Sequence, residues 1–316
     1  MPAFPSDVHW LNVERPLSAT DFEGHVTVVY FWASSSVNAV RVLPFMNRLY
    51  AYYQPAGLEV VGIHSPQFSF EDGEEAVKRA AAQYAIVHPL ALDRGFGLWT
   101  QYGNQAWPTF YVIDARGRVR QVLMGEDQRA TVERSVRELL EEDGRPVPFL
   151  GVPYQPEGDI QFAKLGTPEI FLGYENLSHF GSPEPVRPDE SRQYSAELEI
   201  EANHAYLVGQ WEIQKERALL RGNGGKLVIR YEASRVYALL SSLHEGRLRV
   251  EVWLDGRPLA VDNAGRDIWF RDGKSYLEVD EARIYEVVDM ADLYGAHTLE
   301  LVFLSADSSV YSLMFG

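Results

Sequence analysis

The chain contains no cysteine among its 316 residues. That absence excludes a disulfide framework, thiolate metal sites and any redox cycle carried by a pair of thiols. Long apolar runs are also missing: no stretch approaches the ~18 residues that a membrane-crossing helix needs. Positive charge is scarce, with 29 Lys and Arg against 45 Asp and Glu, a net charge of −16. Such a chain repels nucleic acid and anionic membranes as a whole, so neither a nucleic-acid partner nor membrane insertion is expected. No pair of histidines has metal-ligand spacing. The glycine-rich stretch RGNGGK at 221–226 lacks the spacing and the following Ser or Thr of a phosphate loop and reads as a hairpin turn, so no metal and no cofactor is expected. The first residues, MPAFPSDVHWLN, carry no basic region and no apolar core, so no signal peptide is read there and a complete chain is expected in the cytoplasm.

What is present begins with the run Val26–Trp32, rich in β-branched and aromatic residues. It reads as a buried strand. Ser34, Ser35 and Ser36 break it. From Val37 the apolar residues Val40, Leu43, Met46 and Tyr50 fall at helical spacing. Pro44 lies inside that helix and is expected to remove a hydrogen bond and bend the axis. A second strand is read at 57–64 and a helix at 71–86, with Val77, Ala80, Ala81 and Tyr84 on one face. An extended piece follows at 88–93, then helical turns at 96–102 ended by Gly103. A strand at 109–114 opens a hairpin turning at 115–117. An amphipathic helix bearing Val132, Val136, Leu139 and Leu140 closes the region at Gly144. Strand–helix–strand order with short links implies parallel pairing and a right-handed crossover.

Residues 145–166 are rich in Pro and Gly without a sustained period and read as a linker. From Thr167 a period of two dominates, as in KLVIRYEAS and RLRVEVWLDG, with Asp255-Gly256 as a hairpin-turn signal. The organisation expected is an α/β domain over 1–144, a linker, and an all-β sandwich or jelly roll over 167–316.

These residues carry a resemblance. The stretch VTVVYFWASSSVNAV resembles the active-site segment of thioredoxin-like oxidoreductases of the TlpA/redoxin type, and more narrowly the soluble C-terminal region of DipZ-type proteins. TPEIFLGYEN, the GQW at 209–211 with Glu216, RIYEVVDM and the terminal YSLMFG extend it into the second half, which is similar to the carbohydrate-binding-module-like domain of those proteins. The resemblance runs from about Trp10 to Gly316. It implies a thioredoxin-like domain whose Cys-x-x-Cys would stand at Ser36, Val37, Asn38 and Ala39, so both redox positions, Ser36 and Ala39, have lost their sulfur. It further implies a cis bond at Trp107-Pro108 and a peptide groove formed by Trp32, Asn38, Trp107 and Pro108. Glu71 and Glu126 are implied as cleft acids, together with an extracytoplasmic setting and electrons drawn from a membrane partner.

Other readings of the same residues stand beside these. Ser36 is suited to cap the helix. As a hydrolytic nucleophile it would need His64 or His88 with Glu71 or Asp93 within hydrogen-bond reach. Trp269, between charged turns, is the candidate glycan contact, whereas Trp211, Trp253, Tyr206 and Tyr276 read as core. Asp255, Asp262, Asp267, Asp272 and Asp280 lie in or near turns but lack the spacing of a calcium loop. Three functions follow: a redox-silent module that binds protein segments or glycans, a thiol–disulfide oxidoreductase whose cysteines at 36 and 39 were substituted, or a non-catalytic scaffold. Composition sets no oligomeric state.

Overall fold

The computed structural model describes residues 1–145, 147, 164–243, 247–291 and 293–316, which divide between two compact units, Met1–Pro156 and Glu157–Gly316. The stretch read as a linker lies almost wholly outside the described residues. Among the described residues no helix is long and apolar enough to cross a membrane.

The first unit is built on six strands and four helices. In chain order they are β1 (His9–Leu11), β2 (Val26–Trp32), α1 (Val37–Tyr53), β3 (Leu58–His64), α2 (Glu74–Gln83), β4 (Leu90–Leu92), α3 (Gly97–Tyr102), β5 (Thr109–Ile113), β6 (Val119–Met124) and α4 (Arg129–Glu142). The sheet order is β1-β4-β3-β2-β5-β6. β2 and β4 run parallel to β3, while β5 runs antiparallel to β2 and β6 to β5. β2 reads as a continuous apolar run because it is buried on both faces. Val26, Val28, Tyr30 and Trp32 pack with α1 and α4, whereas Val29 and Phe31 face a second cluster that holds Phe22, Leu98 and Tyr111. Full burial of side chains this size stabilises by roughly 1.5–3 kcal/mol each, which makes β2 the spine of the unit.

Two local readings differ from the structure. The helix expected over 71–86 is a 3₁₀ turn, Ser69–Glu71, followed by the shorter α2. Gly73 separates them in an extended conformation, φ −75° and ψ 136°, and Ala85 takes a left-handed φ of 52° just past the helix end. Ahead of the first strand read in the sequence lies β1, which pairs antiparallel with β4 and closes one edge of the sheet.

Among the described residues the strands of the second unit pair antiparallel. Its longest strands are Ala205–Ile213, Gly225–Ala233, Arg235–Ser242, Gly295–Phe303 and Ser308–Phe315. Ala205–Ile213 changes partners along its length: residues 205–208 pair with Gly225–Ala233, and residues 209–213 pair with Ser191–Tyr194 and Ala218–Leu220. Gly209 stands at the change with φ 110°, and a Cβ there would lie 3.2 Å from the Gly224 carbonyl oxygen, so both backbone conformation and space call for glycine. Side chains from strands on both sides of this one, including Trp211, Tyr231, Phe303 and Phe315, share one core. The Asp255-Gly256 turn forms as expected, with φ 51° and 74°.

Candidate functional site: the serine loop before the first long helix

Strand register decides where the site lies. Trp32 pairs with His64 and His64 with Leu92, so β2, β3 and β4 end together. Phe31 pairs antiparallel with Thr109, which brings Pro108 to the same end of the sheet, beside the exit of β2. The Trp107-Pro108 bond is cis. Loop 33–36 and the 107–108 turn therefore meet where the parallel strands terminate.

Glu71 organises the loop. Its carboxylate is fully buried and accepts five hydrogen bonds. The donors are the Ser34 hydroxyl (2.7 Å), the Ser35 hydroxyl, and the backbone N–H groups of Ser35 (3.1 Å), Gln67 (3.2 Å) and Phe68 (3.2 Å). His64 Nε2 stands 3.4 Å from Oε2, too poorly aligned to form a hydrogen bond. Burial alone would push this carboxyl up. The imidazole beside it and the serine donors outweigh burial and hold it below the ordinary carboxylate range.

Ser36 occupies the N-cap position of α1 with φ −91° and ψ 108°, and its carbonyl accepts the Val40 N–H at 2.9 Å. Its hydroxyl makes no capping bond, which corrects the expectation that this side chain caps the helix. The capacity to satisfy the loop has passed to Glu71, which reaches the N–H of Ser35 one residue earlier. Ser36 and Asn38 are half-buried and Ala39 is fully buried. The Ser–His–acid constellation does not form. His88 is buried with Nε2 3.3 Å from the Tyr30 hydroxyl, and His64 lies against Glu71. Asp93 is spent on Ser65 and the start of α3.

The other expected residues separate into walls and supports. Trp107 is half-buried, its ring 4.4 Å from that of Trp99. Pro108 is buried beside it, and its carbonyl accepts the Gly125 N–H at 2.9 Å. Trp32 is fully buried with its ring edge-on to His64 at 4.9 Å, so it floors the loop from within the core rather than lining an open groove. Glu71 and Glu126 are not open cleft acids either. The first is sealed under the loop, and the second is 5 % exposed and paired with Arg41 of α1 at 3.2 Å. Sequence reasoning passed over Ser34 and Ser35, which bind Glu71, and Trp99, which backs Trp107. It also passed over Met124, exposed on β6 opposite Thr109. The alternation of β6 carried a signal for Met124, while the bonds to Glu71 left none in the pattern.

In the second unit Trp269 is half-buried. Its ring stacks on Tyr276 at 4.8 Å and 23°, with the Arg249 guanidinium 5.4 Å from the ring centre. Much of its face is thus taken by its own neighbours. Asp255 bonds His297 (2.7 Å) and the Thr298 N–H (2.8 Å), and Asp267 bonds Arg283 (2.9 Å). Among the described residues no group of three or more His, Asp or Glu could hold a metal ion.

Known families account for both units. Residues 4–122 match the AhpC/TSA family, and residues 167–316 match the family described as thioredoxin like C-terminal domain. The chain is therefore a thioredoxin-like AhpC/TSA domain followed by an all-β domain of the thioredoxin like C-terminal kind, and it carries no cysteine. Among curated relatives it is 31% identical to Protein DipZ of Mycobacterium bovis over 259 residues, 81% of this chain but 36% of that protein. It thus spans about a third of that relative's length. Thiol-disulfide oxidoreductase ResA of Bacillus thuringiensis is 27% identical over 125 residues, 40% of this chain and 69% of ResA. A solved thiol-disulfide isomerase from Corynebacterium glutamicum aligns over 44% of this chain and 96% of its own, with 26% identity and a TM-score of 0.40.

Proposed function

We propose that the first unit is a redox-silent binding module that holds an extended protein segment between the 34–39 stretch and the Trp107-Pro108 turn. One observation carries this reading. The site's supports are intact around positions that hold no sulfur: the five donors on Glu71, the convergent strand ends and the cis turn all persist beside Ser36 and Ala39. Losing its donors would leave an uncompensated charge in the core, so this carboxylate fixes the shape of the loop with or without sulfur beside it. Asn38 and Trp107 supply the contact surface, with main-chain pairing giving affinity and pockets giving selectivity. Met124 lies at the rim. Without a thiolate at 36, association ends at non-covalent binding, since neither a mixed disulfide nor its resolution has a sulfur to proceed through.

The second reading is a thiol–disulfide oxidoreductase whose cysteines at 36 and 39 were substituted, and the preserved supports favour it equally. In that form a thiolate at 36 attacks a substrate disulfide and releases one substrate thiolate. The thiol at 39 then displaces the other, leaving an oxidised site and a reduced substrate. A membrane electron donor and an extracytoplasmic setting belong to this reading. Glycan binding by the second unit, as a carbohydrate-binding-module-like jelly roll, has less support because Trp269 is stacked by Tyr276 and Arg249.

The deciding experiment installs Ser36→Cys and Ala39→Cys together and measures dithiothreitol-driven reduction of insulin. The unaltered chain should give none and the double variant a clear gain. A folded double variant with no gain would show that the surroundings no longer support the chemistry, and the scaffold role would take precedence. In parallel, the unaltered chain should bind carboxymethylated insulin B chain, an extended polypeptide without free thiols.

A further inference from the structure

Asp93 follows β4 directly and is 5 % exposed. Its Oδ2 accepts the Ser65 hydroxyl and the Trp99 N–H, each at 2.8 Å, and its Oδ1 accepts the Leu98 N–H at 2.8 Å. On one side the carboxylate fastens Ser65, the residue after β3, whose own N–H donates to the Trp32 carbonyl at 3.1 Å where β2 turns into the serine loop. On the other side it fastens the first turn of α3. That helix carries Trp99, whose ring lies tilted against that of Trp107 at 4.4 Å, and the Trp99 carbonyl accepts the Asn104 N–H at 2.9 Å. Asn104 Nδ2 in turn donates to the Ala106 carbonyl at 3.1 Å, one residue before Trp107. A single buried carboxylate is therefore bonded to both margins of the site.

We propose that Asp93 is the positioning residue of this site: by holding Ser65 and the first turn of α3 together, it sets the spacing between the serine loop and the Trp107-Pro108 wall. Glu71 cannot do this, because all five of its hydrogen bonds come from 34–35 and 67–68 on one margin. Every hydrogen-bonded partner of Asp93 named here is neutral, so the tie works by directed bonds to an anion, the strongest kind short of an ion pair. That the spacing matters for a ligand rests on the peptide-binding reading above. The tie itself does not.

The test is Asp93→Asn in the full chain labelled with 5-fluorotryptophan, followed by ¹⁹F spectra and by titration with carboxymethylated insulin B chain. The amide replaces one acceptor oxygen with a donor facing an N–H or hydroxyl. The Trp99 and Trp107 resonances, assigned with Trp99→Phe and Trp107→Phe, should move together, while those of Trp211, Trp253 and Trp269 stay in place. Affinity should fall about tenfold, the scale of one lost charge-assisted bond. A folded Asp93→Asn protein with Trp99 and Trp107 unmoved and affinity unchanged would overturn the proposal. If that variant does not fold, Ser65→Ala decides. It removes only the bond on the β3 side and should shift the Trp99 and Trp107 signals together while weakening binding severalfold, and unmoved signals in the folded variant would refute the tie. Resonances that move in a protein whose unaltered form ignores the peptide would sink the binding reading and leave the positioning role standing.

Discussion

His88 should make the first unit acid-sensitive in a range where most proteins are indifferent. Its side chain is fully buried, edge-on to the rings of Tyr30 and Tyr50, with Nε2 3.3 Å from the Tyr30 hydroxyl and Nδ1 3.4 Å from the Pro89 carbonyl. Burial pushes the imidazole down to about 4 from an ordinary 6.5, with the Pro89 carbonyl opposing only weakly. The folded state therefore stays neutral while the unfolded chain takes up a proton. The stabilisation is complete above pH 6.5, declines as pH falls through 6.5 toward 4, and is gone below both values. At about 1.4 kcal/mol per pH unit the loss amounts to about 3 kcal/mol, a large part of a typical domain's stability. The assay is urea unfolding of the full chain between pH 7 and pH 4 for the unaltered protein and for His88→Gln, with NMR titration of the imidazole alongside. The unaltered protein should lose stability more steeply by the equivalent of one proton. Parallel pH profiles, or an imidazole that titrates above pH 6 in the folded protein, would refute the reasoning.

Glu71→Gln should destabilise the first unit by about 2–3 kcal/mol, because a neutral amide cannot accept from five donors, with calorimetry as the check. Its held-down carboxyl adds stability that is present above an ordinary 4.5 and lost as pH falls below it, so the deficit of Glu71→Gln should shrink in acid. Gly209→Ala should cost about 1–3 kcal/mol in the second unit, since φ 110° disfavours any side chain and the added Cβ meets backbone 3.2 Å away. A melting midpoint equal to that of the unaltered protein would contradict this.

Much of the first unit could be read before any coordinates. The buried run of β2, the helical spacing after Ser36 and the Trp107-Pro108 turn are local signals, and each is where it was expected. What escaped depends on contacts across the chain. Ser34, Ser35 and Ser36 look alike in sequence, yet only the first two turn to Glu71, a choice made by a loop more than thirty residues away. Trp32 was expected in an open groove because the resemblance implied it there. It is sealed because β3 and β5 flank β2 through its last residues. β1 carries only three residues, too few for a period, and its pairing with β4 could not be inferred from pattern. Trp269 borders charged turns, which suggested exposure, but the cross-strand Tyr276 and the nearby Arg249 use its ring.

In the second unit Ala205–Ile213 is common property of two parts of the sheet. Residues 205–208 hold one set of neighbours and residues 209–213 the other, so the two parts of the sheet are joined through one unbroken strand. Fraying that starts at a distant edge of the sheet and reaches this strand loosens the neighbours on its other side, so the unit should open as one body.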